Sequence, residues 1–331
     1  MVLCGGRSAE HEISLLSGKN IFASLDKSKY LPELLVIEKD GNIEPFLKSC
    51  FSKKIDVIFP ILHGPMGEDG TIQGLLKLLH LPFVGASVLG SAIGMDKDVM
   101  KRLLRDAKIP IPKFLVINEK NLTSLTLKEV ESKIGFPFFT KPANLGSSVG
   151  IFKVKDPHNW KEIVQESFLY DRKVLLEEYI VARELECSVL GNANPIASLP
   201  GELVPGDEFY SYQAKYTDMG THFYIPAELD LKIIDRIQKL AIQTYKALSC
   251  EGMGRVDFFL TEKNEIYVNE INTLPGFTGT SMYPKLWEVS GLTISKLLDR
   301  LIELAIERFR KESRLQTTFS CINEPGFLSK K

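Results

Sequence analysis

VNEINTLPG, Val268 to Gly276, sets Glu270 and Asn272 among the apolar residues Ile266, Val268 and Ile271. Side chains alternate along a strand, so Glu270 and Asn272 point the same way and present their oxygens to one spot. A buried carboxylate must be paired, protonated or bound to a metal. The stretch GRVDFFL just upstream places Arg255 and Asp257 on one face, with Val256 and Phe258 on the other. A short turn at TEKNE joins the two stretches as a hairpin, which gathers Asp257, Glu270 and Asn272. Such an all-oxygen set suits Mg²⁺, which takes one or two carboxylates together with phosphate oxygens and water. The competing reading is a salt-bridged polar hairpin with Arg255 neutralising the acids. Two acids and an asparagine outnumber one arginine, which favours the metal.

Further upstream, KPANLGSSVG (Lys141 to Gly150) follows the apolar strand FPFF. Backbone N–H groups freed by Gly146 and Gly150, the hydroxyls of Ser147 and Ser148, and the charge of Lys141 could wrap an anion. A plain glycine-containing hairpin loop is the alternative. The chain has neither GxxxxGK[ST] nor GxGxxG, so a phosphate site here needs another fold. LLEEYI (Leu175 to Ile180), followed by Glu184, reads either as a strand whose carboxylates accept from adenine or ribose, or as a solvated edge strand. His63 in HGPMGEDG has no nucleophile beside it in sequence. AEHEIS lacks the second histidine of a zinc helix, so Glu10 either clamps an ammonium group or caps the following helix.

The first hundred residues alternate short apolar runs (VLC, LPELLVIEKDG, DVIFPILHG, LPFVGAS) with helical patterns at Ser14 to Leu25 and Gly70 to His80. That alternation predicts a parallel sheet covered by helices, with ligands at the strand ends. A helix from Asp96 to about Lys108, stopped by Pro110 and Pro112, marks a joint. Beyond Lys113 closely spaced strands with one helix near Trp160 to Phe168 predict an antiparallel α+β unit. A helix from Leu229 to Leu248 and an amphipathic one from Ile294 to about Lys311 follow. The tail 313–331 has no periodicity and is expected to be disordered.

With 331 residues, 25% of them charged, and a net charge of -1, the chain carries no basic excess of the kind that follows nucleic acid or anionic lipid. Five scattered cysteines, never spaced as a metal pair, fit a reduced cytosolic compartment. No leader pattern opens the chain, and no run approaches the ~18 apolar residues of a membrane span. Only VLC precedes the Gly5-Gly6 turn, so a start upstream of Met1 is expected.

Eight segments in order resemble the ATP-grasp superfamily and, within it, the D-alanine–D-alanine ligase family: GGRSAEHEISL, HGPMGEDGTIQG, MDKDVMKRLL, TKPANLGSSVGI, LLEEYI, FYSYQAKY, GRVDFFL and NEINTLPGFTGTSMYPKLW. The resemblance implies an N-terminal α/β domain (1–94), then two α+β domains (95–182 and 183–312) that sandwich ATP. It implies a reaction joining two D-alanines, with a lid at 205–222 and usually a homodimer. By resemblance, ATP is held by Lys97, Lys141, Ser147, Ser148, Glu177, Tyr179, Ile180, Glu184, Phe209, Lys215, Phe259, Asn269 and Glu270. Asp257, Glu270 and Asn272 would bind two Mg²⁺ ions, for which Mn²⁺ substitutes. Glu10, His63, Arg255, Gly276, Ser281 and Met282 would bind the amino-acid substrates, with Glu10, Ser147, Tyr216, Arg255 and Gly276 in catalytic roles. Tyr216 favours the dipeptide over the D-lactate ester. A D-lactate or D-serine ligase, or a decayed nucleotide-binding protein, is the alternative. Thr140 stands where the family has an apolar residue, which implies looser packing behind Lys141.

Overall fold

The computed structural model describes residues 1–204 and 221–316. Three sheets follow one another along the chain. The first is parallel, in the order β2 (Leu34–Ile37), β1 (Val2–Gly5), β3 (Phe59–Pro60). β3 is short, and the expected strand at LPFVGAS contributes only an isolated parallel bridge from Phe83 to Ile58. The helix after β1 spans His11–Ser24 and so begins ahead of its predicted start at Ser14.

The second sheet is antiparallel, in the order β4 (Phe114–Asn118), β7 (Lys173–Glu178), β5 (Phe138–Pro142), β6 (Phe152–Val154). Its helix Trp160–Ser167 was expected, but two further helices, Glu119–Ser124 and Leu127–Lys133, correct the expectation of one. They are too short for a clear apolar period. The sign in the sequence is the capping box, in which Thr126 and Glu129 satisfy each other's backbone N–H.

The third sheet runs β11 (His222–Tyr224), β10 (Gly201–Val204), β8 (Arg183–Leu190), β12 (Met253–Leu260), β13 (Ile266–Asn272), with β9 (Ile196–Ala197) beside β8. Helix Leu231–Ala247 buries Ile233, Ile237, Ala241 and Tyr245 against one face of it. That spacing of four residues is an apolar stripe along one helix face, within the expected helix Leu229 to Leu248. The final helix, Ile294–Glu312, packs Leu297, Leu301 and Leu304 into the same core as Val2, Cys4 and Ile21 of the first unit. It therefore joins the two ends of the chain.

Among the described residues no helix is long and apolar enough to cross a membrane, and Cys4, Cys50, Cys187 and Cys250 are free thiols. The expected tail beyond 316 and most of the expected lid, 205–220, lie outside the described residues.

Candidate active site

β12 and β13 pair as the predicted hairpin, and Asp257 faces Glu270 while Arg255 faces Asn272. Simple alternation would put Ile266 and Val268 on the same side as Glu270 and Asn272. A register shift resolves the conflict, because Phe258 opposes Val268 while its neighbour Asp257 opposes Glu270. Asn269 is the extra residue of this bulge. It resets the phase, so Val268 and Ile271 are both buried while Glu270 and Asn272 face the site, half-buried.

On the other side of Asp257 lies Glu186 of β8, so three carboxylates stand abreast on adjacent strands. Arg255 grips Asp257 through Nε and Nη2, each at 2.8 Å, and its Nε is 3.0 Å from Glu186 Oε2. Burial alone would lower the Arg255 pKa, but Asp257, Glu186 and Glu270 hold it well above its ordinary value. The salt-bridged reading of the hairpin thus describes Arg255 and Asp257. The metal reading keeps its chemistry too: Asp257, Glu270 and Asn272 are hard oxygen donors on one face. Asn272 Oδ1 also accepts from Leu274 N–H at 2.9 Å. Among the described residues no three His, Cys, Asp or Glu side chains form a cage by themselves. A site of this kind fits a cation that takes its remaining ligands from phosphate and water.

Lysines from helix Lys97–Asp106 and from β5 reach the same place. Asp96 caps helix Lys97–Asp106 by accepting from Asp98 and Val99 N–H, which sets Lys97 at its first position. Lys97 Nζ donates to Leu145 O at 2.7 Å and lies 3.3 Å from Glu270 Oε2. Lys141 of β5 and Lys101, one turn after Lys97, each lie 2.5 Å from one oxygen of Glu177. Glu177 is on a central strand and 1% exposed, so the solvated edge-strand reading fails. Burial would raise its pKa, yet the two ammonium groups hold it below the ordinary carboxylate range. Burial lowers the pKa of Lys101, against the pull of Glu177.

Glu10 occupies the N-cap position of its helix but does not cap it. Ser147 Oγ donates to Glu10 Oε1 instead. Ser147 and Ser148 adopt left-handed backbone, with φ of 51° and 59°. His63 Nε2 is 3.2 Å from Ser17 Oγ, which accepts from Phe277 N–H at 3.1 Å, so the His63 loop is tied to the chain just after Gly276. His63 Nδ1 is 3.9 Å from Glu68, whose pKa burial pushes up, with His63 opposing and Glu10 adding to the rise. A Cβ on Gly276 would fall 2.7 Å from Ser281 Oγ, so any larger residue here must displace that hydroxyl. Thr140 corrects the expectation of loose packing: fully buried, it donates to Ser167 Oγ at 3.0 Å, and Ser167 donates to Gly150 O at 2.8 Å.

Two adjoining cavities, about 490 and 380 Å³, share Lys97, Ser147, Glu186, Arg255 and Glu270. Glu10, His63, Asn272, Gly276, Ser281 and Met282 line the larger. Lys141, Ser148, Glu177, Tyr179, Ile180, Glu184, Asp257, Phe259 and Asn269 line the other. Phe209, Lys215 and Tyr216 lie outside the described residues.

The family model described as D-ala D-ala ligase C-terminus matches residues 103–303, and that described as D-ala D-ala ligase N-terminus matches 1–50 and 43–86. The chain belongs to the D-alanine–D-alanine ligase family. A family relative, the D-alanine–D-alanine ligase of Oceanobacillus iheyensis, is 46% identical, the match covering 96% of this chain and 98% of that one. The D-alanine–D-alanine ligase structure from Coxiella burnetii has a TM-score of 0.84 at 39% identity, covering 94% of each chain. The VanG D-Ala:D-Ser ligase from Enterococcus faecalis has a TM-score of 0.83 at 35% identity, covering 92% of this chain and 98% of that one. The ATP-grasp fold expected from the sequence is thereby shown, and this ligase family uses ATP and divalent metal.

Sequence reading missed Lys101, Glu68 and Glu186 as parts of this ligase site. Each had a sign. Lys101 stands four residues after Lys97 on one helix face, Glu68 sits in the quoted HGPMGEDG, and Glu186 alternates with Glu184 in an apolar strand.

Proposed function

We propose that this chain joins two D-alanines into D-alanyl-D-alanine while splitting ATP to ADP and phosphate. The family makes this dipeptide for peptidoglycan synthesis. The observation that carries the reading is the meeting of two cavities at Arg255, Glu270 and Lys97, one lined for a nucleotide and one for small polar substrates.

A carboxylate is a poor electrophile, so a carboxylate oxygen of the first D-alanine attacks the γ-phosphorus, ADP leaves and an acyl phosphate forms. The neutral amine of the second then attacks that carbonyl, and the tetrahedral adduct expels phosphate as the peptide bond forms. Bound divalent metal supplies charge neutralisation at the transferring phosphoryl group. Asp257, Glu270 and Asn272 would hold two Mg²⁺ ions, or Mn²⁺ in their place. Lys97 and Lys141 hold the phosphates, with Ser147 and Ser148 closing from the loop. Glu177, Tyr179, Ile180, Glu184 and Phe259 surround adenine and ribose, and Asn269 steadies Lys141 through its side-chain oxygen, 3.3 Å away. Arg255 and the N–H of Gly276 stabilise the oxyanion. Glu10 and His63 receive the first substrate, and Ser281 with Met282 the second. By resemblance Lys215 and Tyr216, which lie outside the described residues, would help to keep water from the acyl phosphate.

The proposed ligase has domains at 1–94, 95–182 and 183–312, and is a cytoplasmic homodimer. Incubating the protein with Mg-ATP and D-alanine, D-serine and D-lactate in competition tests the activity. Phosphate release with D-alanyl-D-alanine as main product is expected, and chelation of the metal stops it. No phosphate release at saturating D-alanine, with ATP still bound, overturns it. D-alanyl-D-serine as main product would favour the second reading, which rests on the likeness to the D-Ala:D-Ser ligase.

A further inference from the structure

Asp257 has two demands on it. Its carboxylate is gripped by Arg255 through two 2.8 Å hydrogen bonds, yet in the function proposed above the same carboxylate binds metal while Arg255 faces the carbonyl under attack. If Arg255 had no other anchor, engaging the metal would loosen the arginine, and holding the arginine would withhold the ligand. Glu186 stands where it resolves this. It pairs across the sheet with Asp257, on the side away from Glu270, and its Oε2 is 3.0 Å from Arg255 Nε. It is 7% exposed and borders both cavities.

We propose that Glu186 is a positioning residue that holds Arg255 in place and so frees Asp257 for the metal. The inference rests on the proposed ligase reaction. Glu186 acts through Arg255, since its Oε2 lies against the guanidinium Nε and Asp257 stands between it and Glu270 in the sheet. Charge supports the same role. Glu186, Asp257 and Glu270 are three carboxylates around two cations, Arg255 and Lys97, which leaves the cluster net negative and attractive to a cation. With a neutral residue at 186, Arg255 would rest more heavily on Asp257 and would compete with the metal for it.

The test measures metal binding apart from turnover. Mn²⁺ is titrated into the full chain with ADP present, and free Mn²⁺ is followed by electron paramagnetic resonance. Glu186→Gln is isosteric and removes the charge; Glu186→Asp keeps the charge and withdraws the carboxylate from Nε. Both are expected to weaken Mn²⁺ binding about tenfold, with metal-free ADP binding unchanged within about twofold. In an Arg255→Met background the Glu186→Gln change is expected to weaken Mn²⁺ binding less than it does with Arg255 present, because the guanidinium it holds is gone and only its charge is lost. Wild-type Mn²⁺ affinity in either single variant overturns the proposal, as does an equal loss in both backgrounds. Dipeptide formation by the wild type is assayed alongside, so a failure of the proposed activity is told apart from a failure of this role for Glu186.

Discussion

Ser147 donates a hydrogen bond to Glu10 across 137 residues of sequence, joining the glycine-serine loop of the second unit to the first helix of the first. The bond fixes a left-handed loop residue over the larger cavity. A hydrogen bond to a charged group contributes about 1.5–3 kcal/mol. Ser147→Ala is expected to lower kcat/KM for D-alanine about 10- to 100-fold. Steady-state phosphate release checks this, and an unaltered kcat/KM would remove the bond from the mechanism.

Gly276 and Ser281 approach so closely that one added methyl group must displace something. Ser281 Oγ cannot swing away freely, since it accepts from Thr278 N–H at 2.9 Å and lies 2.8 Å from Thr278 Oγ1. Gly276→Ala is expected to cost about 1–3 kcal/mol in transition-state binding. D-Alanine kinetics should show this at the second substrate, and Gly276→Ala kinetics matching the wild type would contradict the geometry.

Glu177 makes stability depend on acid. Its folded-state pKa lies below the unfolded value of 4.5, so its contribution is present above that value and is lost as pH falls through the folded-state pKa. Glu177→Gln is expected to flatten that part of the profile. Urea midpoints for both proteins from about pH 3 to 6 would reveal it; parallel curves would mean the group contributes nothing.

Lys101 tests the same cluster from its other side. Removing one member of a buried ion pair costs about 3–5 kcal/mol when the partner is left uncompensated. Lys101→Met leaves Glu177 paired with Lys141 and should cost less than that, whereas Glu177→Gln leaves two lysines facing each other and should cost more; the double variant should lose less than the sum of the two. Equilibrium denaturation of the two single variants and the double gives the coupling, and strict additivity would refute it.

Arg308 ties the last helix to the first unit, donating to Gly85 O at 2.6 Å and Phe83 O at 2.8 Å from a buried position. Arg308→Met would leave two carbonyls without their donor. A loss of about 2–4 kcal/mol is expected in chemical denaturation. A loss below about 0.5 kcal/mol would show that the helix docks by its apolar face alone.

What the chain determined by itself is local. Alternation put Arg255 and Asp257 on one face, the turn at TEKNE made the hairpin, and the apolar period from Ile294 marked the last helix. These follow from backbone geometry over a few residues. Tertiary structure alone decided what depends on pairing between distant segments. The bulge at Asn269 is a property of two strands in register, so the facing of Glu270 against Val268 could not be settled within one of them. Glu177 between Lys101 and Lys141, and Glu186 beside Arg255, likewise exist only where separate elements meet. A buried charge is stable only beside its partner, and the partner's place is set by packing rather than by nearness in sequence.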